Sequence, residues 1–118
     1  MYTNQEIGKI GEDIATEYLQ KNGYNVIERN FYCSQGEIDI IAIDKEELVF
    51  IEVKTRTDTF FGEPGEAVNY YKIKHMVNAI KYYTYKRNLM DEFIRIDVIE
   101  VYLKNDKVRI NHIKKAIS

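Results

Sequence analysis

Asp39, Glu52 and Lys54 are the residues of this 118-residue chain whose types and spacing best suit them to chemistry. They lie in two runs, 37–44 and 48–56, that read as neighbouring strands. Side chains alternate along a strand. Leu48, Phe50, Glu52, Lys54 and Arg56 therefore share one face, and Val49, Ile51, Val53 and Thr55 share the other. Both faces begin apolar, as in a strand covered on both sides. A two-residue loop at Lys45-Glu46, or a four-residue loop over 44–47, closes the hairpin in a single register. Ile43 then lies opposite Leu48, Ile41 opposite Phe50, Asp39 opposite Glu52 and Glu37 opposite Lys54. The apolar pairs match, which supports the register. It sets two carboxylates across from one another with Cβ atoms ~5 Å apart.

Like charges in that position destabilise a sheet, unless one is protonated or a cation lies between them. Mg²⁺ takes a few carboxylates and keeps several waters. Those open positions suit a phosphate oxygen and an attacking water. Lys54, one step along the same face, would orient or help deprotonate that water, or stabilise the charge that develops on phosphate. The competing arrangement is a cross-strand salt-bridge ladder in which Lys54 neutralises Glu37 and Glu52. The ladder explains Lys54 well, and explains less well why Asp39 faces Glu52 beside Ile41 and Phe50.

The elements that must position these residues follow from pattern and punctuation. A first helix is expected over about 4–22, with capping-box spacing at Thr3 and Glu6 and a terminating Gly23. Its apolar face is read as Ile7, Ile10, Ile14 and Tyr18. Glu12 falls at the flank of that face beside Gly8, Ala15 and Leu19. Gly8 and Gly11 would let the helix approach the sheet closely, so Glu12 is a third carboxylate able to reach the same metal or its waters. Its plainer reading is an exposed helical Glu paired with Lys9. A strand over 24–33 precedes the hairpin. The loop Gly62-Glu63-Pro64-Gly65 follows it, and then a second helix over 70–87 with apolar positions Ile73, Met76, Val77, Ile80 and Tyr83 and Asn69 as N-cap. Two strands, 95–103 and 108–113, close the chain around an Asn105-Asp106 turn. The order αβββαββ predicts a single α/β domain over 1–118, a mixed central sheet flanked by helices.

Three segments resemble a known family. Gly-Lys-Ile-Gly-Glu-Asp (8–13), Gly-Glu-Ile-Asp-Ile-Ile (36–41) and Val-Phe-Ile-Glu-Val-Lys-Thr-Arg (49–56) resemble the YraN-like bacterial proteins. The likeness extends over nearly the whole chain, including Phe61-Gly62 and Arg95-Ile96-Asp97-Val98. That family is similar to the archaeal Holliday junction resolvases and belongs with the PD-(D/E)xK nucleases. The resemblance implies a restriction-endonuclease-like αβββαβ core. It also implies a Mg²⁺- or Mn²⁺-dependent endonuclease with Glu12, Asp39, Glu52 and Lys54 as catalytic residues, the three acids holding metal. Ile38 stands where the superfamily name has proline. The implied substrate is DNA, as branched or junction structures in repair or recombination, and junction resolution further implies a homodimer. The alternative function is a non-catalytic nucleic-acid-binding or scaffold protein that keeps the fold.

Composition is compatible with these expectations. Hydrophobic residues make up 45% and charged residues 31%, a globular mixture. No apolar run approaches the ~20 residues of a membrane span, and residues 1–13 do not read as a signal peptide. One cysteine, Cys33, fits a reducing cytoplasm. Up to Asn69, 6 Lys/Arg stand against 14 Asp/Glu, and from Tyr70 on 11 stand against 5. That asymmetry suits either a nucleic-acid surface beside a metal site or ordinary solvated charge.

The remaining candidates carry two readings each. Arg56 is a phosphate contact or a surface residue at a strand end. Asp97, flanked by Arg95, is read as a structural ion pair in preference to a metal ligand. His75 and His112 lack metal-ligand spacing and are read as surface or structural, and Cys33 as a small buried side chain. Tyr70, Tyr71, Tyr82, Tyr83 and Tyr85 interleave with Lys72, Lys74, Lys81, Lys86 and Arg87. Such a helix either stacks on unpaired bases or divides into core and solvated charge.

Overall fold

The capping box read from Thr3 and Glu6 starts α1 (Asn4–Lys21) in the computed structural model, which describes residues 2–57, 70–90 and 92–117. The Thr3 hydroxyl accepts the Glu6 N–H at 3.1 Å, and the Thr3 N–H donates to Glu6 Oε1 at 3.0 Å. At the other end Gly23 takes φ 86, where a Cβ would be strained. The Gly23 N–H then reaches Gln20 O and the Tyr24 N–H reaches Leu19 O. This pattern satisfies the last helical carbonyls and lays Tyr24 on Leu19 in the core.

The strands and second helix are β1 (Asn25–Cys33), β2 (Gly36–Asp44), β3 (Glu47–Thr57), α2 (Tyr70–Lys86), β4 (Phe93–Lys104) and β5 (Lys107–Ile117). The expected αβββαββ order holds, and the five strands form one mixed sheet in the order β1-β2-β3-β4-β5. β3 and β4 are parallel, and the other neighbours are antiparallel. The Lys45-Glu46 loop has two residues, with Lys45 at φ 57. Asn105 and Asp106 take φ 50 and 59, as a type I′ hairpin turn requires. β5 runs to Ile117 rather than stopping near Ile113, because a register shift between Ile96 and Val98 lets it pair again at Ile96. Asn69, Phe61 and the 62–65 loop lie outside the described residues. Among the described residues no helix is long and apolar enough to cross a membrane.

β3 is the middle of the molecule. Val49 and Ile51 pack with Ile40, Ile99, Ala15 and Leu19 under α1. Leu48 and Phe50 pack with Ile41, Met76, Ile80 and Tyr83 under α2. Both faces of the strand are thus covered, as its composition implied.

The contact face of α1 differs from the expected one. Its buried residues are Gly11, Ala15 and Leu19, while Ile14 and Tyr18 pack at the rim. The small side chains bring the helix axis close to the sheet, and the larger ones flank the contact. A Cβ on Gly11 would sit 1.8 Å from Thr55 Oγ1, so this glycine is the point of closest approach. Gly8, by contrast, has no atoms within 4 Å of such a Cβ and opens onto a cleft.

Candidate active site

β2 and β3 pair from Asp44↔Glu47 to Ile40↔Ile51, where their ladder ends. β3 continues beside β4 to Thr57↔Leu103, and β2 continues beside β1 to Cys33↔Gly36. The sheet therefore forks. Asp39 and Glu52 stand one step past the last pair, at the mouth of the fork, and are not the ladder partners that simple extrapolation gives. Glu37 and Lys54 are not partners either. The local reason is a side-chain substitution for backbone. Asp39 Oδ2 accepts the Val53 N–H at 2.8 Å, the donor that a continuing ladder would pair with Ile38.

A cleft of about 520 Å³ opens at this fork. α1 supplies Gly8 and Glu12, β2 supplies Glu37 and Asp39, β3 supplies Glu52, and α2 supplies Lys72 and His75. The splayed strands let residues from both sides of the sheet meet there. Gly36 permits the close fit of β2 to α2, since at its φ of 154 an added Cβ would lie 2.8 Å from His75 O.

The acids are uncomfortable in this setting. Burial pushes the Asp39 carboxyl up to about 7, and the charge of Glu52 pushes in the same direction. The Val53 N–H opposes this, Glu12 adds to it and Lys72 opposes it. Burial also raises Glu12, against the pull of Arg29, whose Nη2 is 3.9 Å from Glu12 Oε1. Glu52 is only 6% exposed, and its ion-pair partner is Lys72 of α2. The cation that sequence reasoning assigned to Lys54 thus comes from another element. Lys72 stands on the α2 face that also carries His75 and Met76, three and four residues on, at the rim of the apolar stripe.

Lys54 and Arg56 share the Glu52 side of β3, but they are set back from the cleft wall. Burial lowers the Lys54 ammonium, Lys72 and Arg56 lower it further, and Glu52 and Glu100 oppose them. Arg56 is buried, so it is not a surface residue, and its Nη2 lies 3.9 Å from Glu100 Oε2. Glu100 is the register neighbour of Lys54 on β4, and its Oε1 accepts Asn111 Nδ2 at 2.8 Å. Glu100 Oε2 and Arg56 Nη2 are enclosed and find no hydrogen-bond partner among the described residues. Sequence reading missed Glu100, which looks like any strand acid until β4 is known to run parallel to β3.

The structural reading of Asp97 is correct. Asp97 is fully buried and receives Arg95 Nε at 2.9 Å and Nη2 at 3.1 Å. His112 Nε2 lies 2.7 Å from Asp97 Oδ2, and the Lys115 N–H donates to Oδ1 at 3.2 Å. His112 Nδ1 meets the Tyr18 hydroxyl at 3.0 Å, so this histidine is structural. His75 is exposed on the cleft wall. Cys33 is half-buried rather than buried, with Sγ 3.5 Å from Gly36 O. On α2, Tyr83 is core, whereas Tyr82 and Tyr85 are exposed and Lys86 lies over the Tyr82 ring. The Tyr70 and Tyr71 side chains lie outside the described residues.

The cleft has donors for a hard cation. Among the described residues no three His, Cys, Asp or Glu side chains form one metal-binding group. Mg²⁺ needs only one or two carboxylates beside its waters. Asp39 and Glu52 match that donor chemistry, and their mutual repulsion is what a cation would relieve.

A forked mixed sheet between two helices, with the half-buried Asp39 and the buried Glu52 in the fork, defines a mixed α/β protein of αβββαβ core. The chain belongs to the Uncharacterised protein family UPF0102, whose model matches residues 11–101. That span contains Glu12, Asp39, Glu52 and Lys54. It is 45% identical over 115 residues to the UPF0102 protein of Clostridium perfringens strain 13, covering 96% of this chain and 94% of that one. It is 46% identical over 118 residues to the relative from Clostridium botulinum strain 657, covering 98% and 96%. The relative from Caldanaerobacter subterraneus is 45% identical over 113 residues, with 93% of each chain covered. The crystal structure of SSO0001 is 18% identical, with a TM-score of 0.36 over 99% of this chain and 55% of that one.

Proposed function

We propose that this protein is a divalent-metal-dependent endonuclease that hydrolyses phosphodiester bonds in DNA, with branched or junction DNA as its substrate class. The observation that carries the reading is the half-buried Asp39 beside the buried Glu52 in the fork, where desolvation and Glu52 push the Asp39 carboxyl up to about 7. A fold keeps two such acids together at a cost in stability, and that cost has a purpose if a cation and a substrate use them. Asp39 and Glu52 would hold Mg²⁺ or Mn²⁺, with Glu12 across the cleft completing the acidic wall. Bound there, such an ion supplies an activated water and offsets charge on the phosphate.

The protein's own groups do the positioning. The Val53 N–H fixes the Asp39 carboxylate. Lys54, whose ammonium burial and the neighbouring Lys72 and Arg56 disfavour, orients the water or stabilises the phosphate, and Arg56 extends positive charge behind it. Resolution of a junction by two symmetric cuts calls for a homodimer, and the single cysteine suits a cytoplasmic protein. Cleavage of junction, flap and single-stranded DNA with Mg²⁺ or Mn²⁺ tests the reading, wild type against Glu52→Ala. Metal-dependent cutting that the variant loses supports it. Equal activity in both proteins assigns the cutting to a contaminant or another site.

The Lys72–Glu52 ion pair favours a second reading, because it neutralises Glu52 without metal. On that reading the chain binds nucleic acid non-catalytically. Binding would be salt-sensitive, independent of metal and unaccompanied by cleavage.

A further inference from the structure

Glu52 and Lys72 belong to different kinds of element. Glu52 is held on the central strand with its side chain 8% exposed, whereas the Lys72 side chain on the first turn of α2 is 49% exposed. The acid is fixed, and the base has a long stem that reaches it from the rim. A buried carboxylate needs a countercharge. Lysine supplies a compact charge on a flexible stem that can be withdrawn at low cost. Both groups line the same cleft as Asp39 and Glu12.

We propose that Lys72 is the resident countercharge of the site: a divalent cation displaces its ammonium from Glu52, and the released ammonium then takes a phosphate oxygen of the bound strand. The inference rests on the metal-dependent reading above. No covalent bond changes, and the charges balance at each stage. Before exchange, Lys72 neutralises Glu52 and the cleft has little attraction for an anion. After exchange, the cation is met by Asp39 and Glu52, and the Lys72 charge is left to match one phosphodiester. Cation and nucleic acid therefore help each other bind, and Lys72 is the element that couples them. Its effects on the two ligands have opposite signs, which a merely structural lysine would not show. The influence of Lys72 on both Asp39 and Lys54 agrees with this central placement.

The test is Mn²⁺ titration by calorimetry on the full chain without DNA, for wild type, Lys72→Met, Lys72→Arg and Glu52→Gln. Binding of a short fluorescent oligonucleotide is then measured in Ca²⁺. Lys72→Met should bind Mn²⁺ tighter by on the order of tenfold, because a contacting positive charge is gone. It should bind the oligonucleotide severalfold more weakly in Ca²⁺. Lys72→Arg keeps the charge and should stay near wild type in both, which separates charge from folding defects. Unchanged or weaker Mn²⁺ binding by Lys72→Met, with wild type binding and Lys72→Arg folded, overturns the exchange alone. If wild type and Lys72→Met both bind no Mn²⁺, the metal-dependent reading falls and the exchange falls with it.

Discussion

Two acids in one sheet, the buried Asp97 on β4 and the half-buried Asp39 on β2, have opposite fates. Burial alone would raise the Asp97 carboxyl, but His112, Arg95 and the Lys115 N–H outweigh it and hold it below the ordinary carboxylate range. Asp39 has one backbone donor and two acidic neighbours, and is pushed up to about 7. Asp97 is saturated by its own chain, and ties β4 to β5 and, through His112, to Tyr18 of α1. Asp39 is left short of positive charge where β2 and β3 part. The fold neutralises one buried aspartate completely, so the deficit at the fork is local to the cleft, and on the proposed reading it is what a bound cation would offset.

The comparison breaks most visibly at Asp97. Asp97→Ala removes the bidentate partner of Arg95, which is 7% exposed, and leaves it only the Asp44 and Glu47 contacts at 3.0 Å and the Tyr24 hydroxyl. Breaking a buried pair in this way costs roughly 3 kcal/mol or more. Urea unfolding measures it, and a loss below about 1 kcal/mol would mean that the cluster is not the tie it resembles. Next in size is Gly11→Ala, whose new Cβ cannot coexist with Thr55 Oγ1 at 1.8 Å. We expect a loss of roughly 1–3 kcal/mol, partly restored in the double variant with Thr55→Ala, and a matching shift in Mn²⁺ affinity because α1 carries Glu12 to the fork.

Asp39→Asn should move stability the other way at alkaline pH. The folded carboxyl titrates near 7, above its unfolded value near 3.9. Its contribution is therefore fully present below about pH 4 and is lost as pH rises through 7. Asp97 has the reverse sign, since its folded pKa is lowered and its contribution is lost only in acid. The amide of Asp39→Asn can still accept the Val53 N–H, and it carries no charge. The variant should be more stable than wild type at pH 8, by about 1 kcal/mol after screening and relaxation, with little difference at pH 5. Mn²⁺ at pH 8 should stabilise wild type and not the variant. Urea midpoints at both pH values, with and without Mn²⁺, decide it. A variant less stable than wild type at pH 8 would make Asp39 a second structural acid.

Much of this was legible in the residues, and the exceptions share a cause. Capping at Thr3 and Glu6, the two-residue hairpin loop and the doubly covered β3 follow from local chemistry and period. The apolar register Ile43↔Leu48 and Ile41↔Phe50 was readable for the same reason. That register could not say where the strands part, because the fork depends on β3 following β4 and on Asp39 capping Val53. Lys72 and Glu100 were invisible for a related reason. Each matters only through an element more than ten residues away, and neither has a local pattern that distinguishes it from a solvated charge. The α1 face was misplaced because large apolar residues dominate periodicity, whereas close helix-to-sheet contact selects small ones.

The smallest effect is also the cleanest test of whether the two acid clusters are independent. Tyr18→Phe deletes only a hydroxyl, 3.0 Å from His112 Nδ1, and keeps the edge-on ring contact whose centroids are 5.5 Å apart. One part-buried hydrogen bond is worth about 1 kcal/mol, so thermal or urea unfolding should register a loss of that order. His112 still faces Asp97 through Nε2, so the Asp97 cluster should weaken without collapsing. Tyr18 lies six residues from Glu12 along α1, which is about 9 Å of helix rise, and among the described residues the Asp97 cluster bonds to Arg95, His112 and Lys115 and not to the acids of the fork. Mn²⁺ affinity and the pH dependence due to Asp39 should therefore be unchanged. A change in either would show that the saturated cluster sets the geometry of the deficient one, and the two acids would then be parts of a single network rather than two separate arrangements.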